Sequence, residues 1–147
     1  MRSVLFTAIL LISSTAFAAG EMGIGAMLGN PTGINAKYWL SEKNAVDGGA
    51  GLSLGKKTNL SLHSDYLFHS EGALIFQDNH PLDLYYGIGG RMEFGDDIEL
   101  GVRLPVGIAH RMENNQADIF GEIAPIIDFI GRTGLELHLV VGARYYF

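Results

Sequence analysis

Residues 135–147 alternate between apolar and polar without a break. Leu135, Leu137, Leu139, Val141, Ala143, Tyr145 and Phe147 fall on one face. Glu136, His138, Gly142, Arg144 and Tyr146 fall on the other, with Val140 the one apolar intruder. A strand repeats every two residues, so the segment predicts a strand with one apolar and one polar face. Seven earlier segments read the same way, at 22–29, 34–40, 46–54, 60–68, 82–94, 98–108 and 119–129. Turn signals separate them, among them Asn30-Pro31-Thr32-Gly33, Ser41-Glu42-Lys43-Asn44 and Gly95-Asp96-Asp97. Two connections look longer, at about 69–81 and 110–117. No long window carries a 3.6-residue period. The pattern predicts an all-β domain, an eight-stranded antiparallel up-and-down transmembrane β-barrel, the smallest of its class.

Alternation does not say which way the apolar face points. A soluble lipocalin-like periplasmic carrier would turn it inward around a ligand, and a membrane barrel would turn it outward. The polar face carries Asp47, His63, Asp65, Asp83, Arg91, Glu93, Glu99, Arg103, Glu122, Asp128, Glu136, His138 and Arg144. Mixed signs suit an internally paired interior, but a solvated exterior would look similar. The aromatics discriminate better. With the first strand ascending, Tyr38, Trp39, Tyr66, Phe68, Tyr85, Tyr86, Phe120 and Tyr145 to Phe147 gather at one level. That is the interfacial belt of a membrane barrel.

The two ends of the sequence support export. Arg2 precedes an apolar run at 4–12 that is too short for a membrane-spanning helix, and Ala16-Phe17-Ala18 fits a small-x-small cleavage pattern. Residues 1–18 are therefore expected to be a cleavable signal peptide, and 19–147 the barrel domain. Without Arg2, nine Lys or Arg face sixteen Asp or Glu, a formal charge of −7. An acidic balance argues against nucleic-acid binding. The chain has no Cys, so neither disulfides nor a lipidated cysteine is expected. Its twenty Gly are dispersed, as tight turns and close packing in a β protein require.

Several strings carry a resemblance: 84–90 (LYYGIGG), 101–107 (GVRLPVG), 118–125 (DIFGEIAP) and 144–147 (RYYF). With them the mature chain resembles a family of small outer-membrane β-barrels of Gram-negative bacteria, of the OmpX type and of undetermined function. The ending Val141, Ala143, Tyr145, Phe147 resembles the C-terminal insertion signal of such barrels. The resemblance implies residence in the bacterial outer membrane. The implied partners are outer-membrane lipid, lipopolysaccharide and, during insertion, the barrel-assembly machinery. It brings no catalytic residues and no cofactor.

The candidate chemistry lies on the polar face. An eight-stranded barrel is just wide enough for side chains to fill. Arg91, Arg103 and Arg144 are then expected to pair with Glu93, Glu99, Glu122 and Glu136 in an electrostatic core, since unpaired buried charge is costly. The five His have no metal-ligand spacing, so no metal site is expected. His63-Ser64-Asp65 is the nearest thing to a lipid-hydrolysing triad, but neighbours on a strand point to opposite faces. Pro105 and Pro125 sit inside the sixth and seventh segments, where proline cannot donate to the ladder. Two such gaps at one seam would open lateral access for lipid, as a lipid-binding barrel or a lipid A-modifying enzyme needs. The leading expectation is a non-porin barrel, not an enzyme, with a structural, envelope-integrity or surface-interaction role.

Overall fold

Alternating segments rich in β-branched and aromatic residues, punctuated by Gly, Asn and Asp, form strands joined by short turns. The computed structural model describes residues 21–53, 58–76, 80–112, 116–131 and 133–147. The expected signal peptide lies outside them. The strands are β1 Met22–Asn30, β2 Thr32–Trp39, β3 Asn44–Ser53, β4 Asn59–Phe76, β5 His80–Phe94, β6 Ile98–Arg103, β7 Val106–Arg111, β8 Ala117–Ile130 and β9 Gly134–Tyr146. Neighbours in sequence pair antiparallel, and β9 pairs back onto β1, with Gly25 opposite Arg144 and Ala26 opposite Ala143. β6 and β7 are two halves of one strand, both lying between β5 and β8. The result is a closed antiparallel ring of eight strands.

The faces divide as alternation predicts. Every outward position from Leu135 to Phe147 is exposed, whereas on the other face His138, Val140, Arg144 and Tyr146 are buried and Glu136 and Gly142 half-buried. Ile24, Ile34, Leu62, Ile88, Val102, Ile123 and Val141 continue this apolar exterior around the ring. Lys37, Asp47, Asp65, Arg91, Arg103, Glu122, His138 and Arg144 are buried inside. A lipocalin-like carrier would have these faces reversed. A small apolar cluster, including Met27, Leu67, Tyr85, Phe120 and Val140, shares the interior with the charges.

The structure corrects three expectations. The first concerns 69–81, where no long connection exists. β4 continues to Phe76 and β5 begins at His80, with Leu74 opposite Leu82 and Phe76 opposite His80. A register shift between Ser70 and Leu74 breaks the two-residue period, which hides the strand from a pattern reading. The second concerns 110–117, where His110 and Arg111 already pair with Ile119 and Asp118. The third concerns the aromatics. Tyr66, Phe68, Tyr86, Tyr145 and Phe147 face outward, but Tyr85, Phe120 and Tyr146 are buried inside. The outward rings of Tyr66, Phe68 and Tyr86 touch in a row, with centroids 5.1 and 5.5 Å apart.

Candidate functional site

The interior is organised around three arginines. Arg91 Nη2 lies 2.5 Å from Asp128 Oδ1, and its Nη1 lies 2.7 Å from Glu136 Oε2. Glu93 and Glu99 approach the same guanidinium at 3.6 Å each. Arg103 Nε donates to Asp65 Oδ1 at 3.2 Å, and its Nη2 donates to Glu122. Tyr85 Oη donates to the other Glu122 oxygen at 3.1 Å. Arg144 Nε donates to Asp118 Oδ1 at 3.0 Å and its Nη1 to Asn35 Oδ1 at 3.2 Å, while Tyr146 Oη donates to Asp118 Oδ2 at 2.7 Å. Arg144 therefore takes none of the four glutamates expected for the core. Asp118 lies one residue beyond the predicted connection and was hidden there.

These contacts share one construction. Arg91, Gly101 and Asp128 occupy one rung of three adjacent strands. So do Asp65, Gly89 and Arg103. Tyr85, Gly107 and Glu122 repeat it, as do Arg144, Gly25 and Asn35. In each case two long side chains meet over a glycine on the strand between them. A Cβ on Gly89 would collide with Asp65 Oδ1 and with the Ser64 carbonyl, whereas one on Gly134 meets nothing within 4 Å. Gly89→Ala should therefore destabilise the ring by about 1–3 kcal/mol through overpacking. Gly134→Ala should stay within about 0.5 kcal/mol, as an unobstructed surface change does. Urea unfolding followed by Trp39 fluorescence distinguishes the two.

Cations also stack on rings where the interior nears the β2, β7 and β9 ends. Lys37 Nζ lies 2.7 Å from His69 Nε2 and 4.4 Å from the Trp39 ring centroid. Arg111 sits 4.6 Å over Tyr146 and Arg144 4.1 Å over Phe120. Such contacts stabilise desolvated cations.

The prolines are placed differently from the single weakened seam expected. Gly87 N donates to the Pro105 carbonyl at 2.9 Å, and Leu104 N donates to the Pro125 carbonyl at 3.0 Å. A strand residue points its N and its C=O the same way. The donor missing at Pro105 therefore faces β5, and the one missing at Pro125 faces the β6–β7 junction. Two seams lose one bond each. The register runs on unchanged from Arg103–Ile126 to Val106–Ile123. Pro105 splits the sixth strand into β6 and β7 but does not open the wall.

The outer surface over β7, β8 and β9 is dented. Two adjoining depressions of about 630 and 700 Å³ meet at Leu28, Ile108, Gly121 and Val141. Gly121 makes the dent because it faces outward with no side chain, and a Cβ there would touch only Val141, at 4.0 Å. His63 and Asp65 face inward and Ser64 outward, where its hydroxyl donates to the Asp47 carbonyl at 3.2 Å. The His63-Ser64-Asp65 string is thus not assembled as a triad. Val141, Ala143, Tyr145 and Phe147 line the exposed face of β9, and Phe147 N donates to the Met22 carbonyl at 3.0 Å.

No protein-family model, curated protein or solved structure matches this chain.

Proposed function

We propose that this ring is a transmembrane β-barrel of the bacterial outer membrane, a small non-porin barrel that serves envelope integrity or surface contacts. One observation carries the reading: the buried charges line the inside, and most large apolar side chains stand exposed on the outside around the ring. Soluble monomers rarely expose contiguous apolar surface beyond a few hundred Å². A closed ring leaves no unpaired edge in hydrocarbon, the condition a sheet must meet to cross a bilayer. The bore is occupied by Arg91, Arg103, Arg144, Lys37 and Tyr85, which favours a plugged barrel over a pore. Its partners are then outer-membrane lipid and lipopolysaccharide, and the assembly machinery acts through the Val141–Phe147 face during insertion.

Fractionation with unheated and boiled electrophoresis tests this. The expected result is a urea-resistant outer-membrane protein whose unheated band runs fast and slows after boiling. A urea-extractable protein with no shift would overturn the reading. The dent favours a second one, in which a lipid acyl chain lodges over Gly121 and the barrel binds or modifies lipid A. A changed lipid A mass on gene deletion would support modification, and an unchanged mass would leave the structural role.

A further inference from the structure

We infer that Asp47, His63 and Asp65 form a binding site for a divalent transition-metal ion inside the ring. Register makes the first argument. Asp47 on β3 and Asp65 on β4 are directly opposite each other, and both point inward. Like charges directly opposite on neighbouring strands destabilise a sheet. Lys37 is the next residue on that rung, opposite Asp47 on β2, yet its ammonium turns to His69. Arg103 approaches from the other side and is shared between Asp65 and Glu122. One guanidinium therefore faces three carboxyl groups, an acidic excess in a buried space that favours neutrality. A divalent cation supplies that balance.

Geometry makes the second argument. One ligand atom from each of Asp47, His63 and Asp65 lies within 4.8 Å of the others. The groups are also short of partners. Asp47 is 5% exposed and its Oδ1 has no hydrogen-bond partner, and neither has His63 Nδ1. Buried polar atoms are rarely left without a partner, and the free Asp47 oxygen within this group points to a missing one. Gly49 makes room for the imidazole: it lies opposite His63, and a Cβ there would press on the ring and on Met27. One imidazole nitrogen with carboxylate oxygens suits Zn²⁺ or Mn²⁺, whereas Ca²⁺ and Mg²⁺ prefer oxygen alone. A second acidic group, Glu93, Glu99 and Glu136, differs because it offers no imidazole and Arg91 contacts all three of its carboxylates.

Sequence spacing alone conceals this site. His63 and Asp65 are two apart on one strand, and the third ligand comes from β3 through the register. The inference holds for the ring whether or not it stands in lipid, so its test is separate from fractionation.

The test uses the full chain, stripped with chelator and refolded in detergent with ZnCl2 present, followed by elemental analysis and a zinc titration. About one zinc per chain is expected. Asp47→Asn and His63→Gln should each weaken binding about tenfold or more, since even second-shell changes cost 10–100-fold. Glu99→Gln should leave binding unchanged. Absence of stoichiometric zinc, or equal binding by all three variants, would overturn the site. X-ray absorption on the unmodified zinc-loaded protein covers the case of a variant that fails to fold. A shell with one imidazole and carboxylate oxygens supports the site, and a shell without imidazole overturns it.

Discussion

Arg103→Met should cost the folded ring about 3–5 kcal/mol, the range found when one partner of a buried ion pair is removed. Arg103 is 1% exposed, and its guanidinium is bonded to Asp65 and Glu122. Methionine fills much of the volume, so the loss is one of charge rather than of packing. Asp65, Glu122 and the neighbouring Asp47 would be left without a cation in contact. Arg103→Lys should be intermediate, because an ammonium keeps the charge but not the fork that reaches two carboxylates at once. Adding Glu122→Gln to Arg103→Met should recover part of the loss, as expected for residues that share a contact. Urea unfolding in detergent or vesicles measures all three. A change below about 0.5 kcal/mol for Arg103→Met would place it among neutral surface substitutions, and the interior would not be an electrostatic core.

The second large effect is on the outer face. Ile123→Arg should destabilise the protein in lipid vesicles by about 2–4 kcal/mol, the cost of arginine on the lipid face near the midplane. Ile123 is 52% exposed and sits midway along β8, so the substitution removes little internal packing. Leu135→Arg makes the control. Leu135 is 78% exposed at the start of β9, where a barrel wall nears its rim and the same charge costs about 0–1 kcal/mol. For a ring in water both changes would fall within about 0.5 kcal/mol. The difference between the two positions, read by unfolding in vesicles, therefore reports on depth in a bilayer.

Most of the fold could be read from the sequence because a strand repeats every two residues. The outward phases of Ile24, Leu62, Ile88, Val102, Ile123 and Leu139 needed nothing more. The pattern failed where the period itself breaks, at the irregularity after Ser70. It also missed Met27 and Leu67, apolar residues that share the inner phase with charges, whereas Val140 was legible as an apolar residue on the polar face. The site was less legible for a different reason. Which charge meets which depends on register, and register is a property of two strands. Arg144 finds Asp118, and Asp47 faces Asp65, only once β3, β4, β8 and β9 are aligned. The glycines show the same limit. Their number suggested tight turns and close packing, but the rungs of Gly25, Gly89, Gly101 and Gly107 appear only when three strands are laid side by side. The prolines illustrate the converse. Two prolines in adjacent strands suggested one weak seam, yet their missing donors face different neighbours.

Spin-label accessibility tests the orientation of the faces most directly. The chain has no Cys, so single cysteines at Val102, Ile123 and Val141 can each be labelled without competition. A fourth at Asp97, exposed in the β5–β6 turn, serves as the aqueous reference. With the full chain in lipid vesicles, the three wall labels should be open to oxygen and closed to a water-soluble nickel complex, and Asp97 should show the reverse. Wall labels as open to nickel as Asp97 would mean that the apolar face stands in water, and the membrane reading would be wrong.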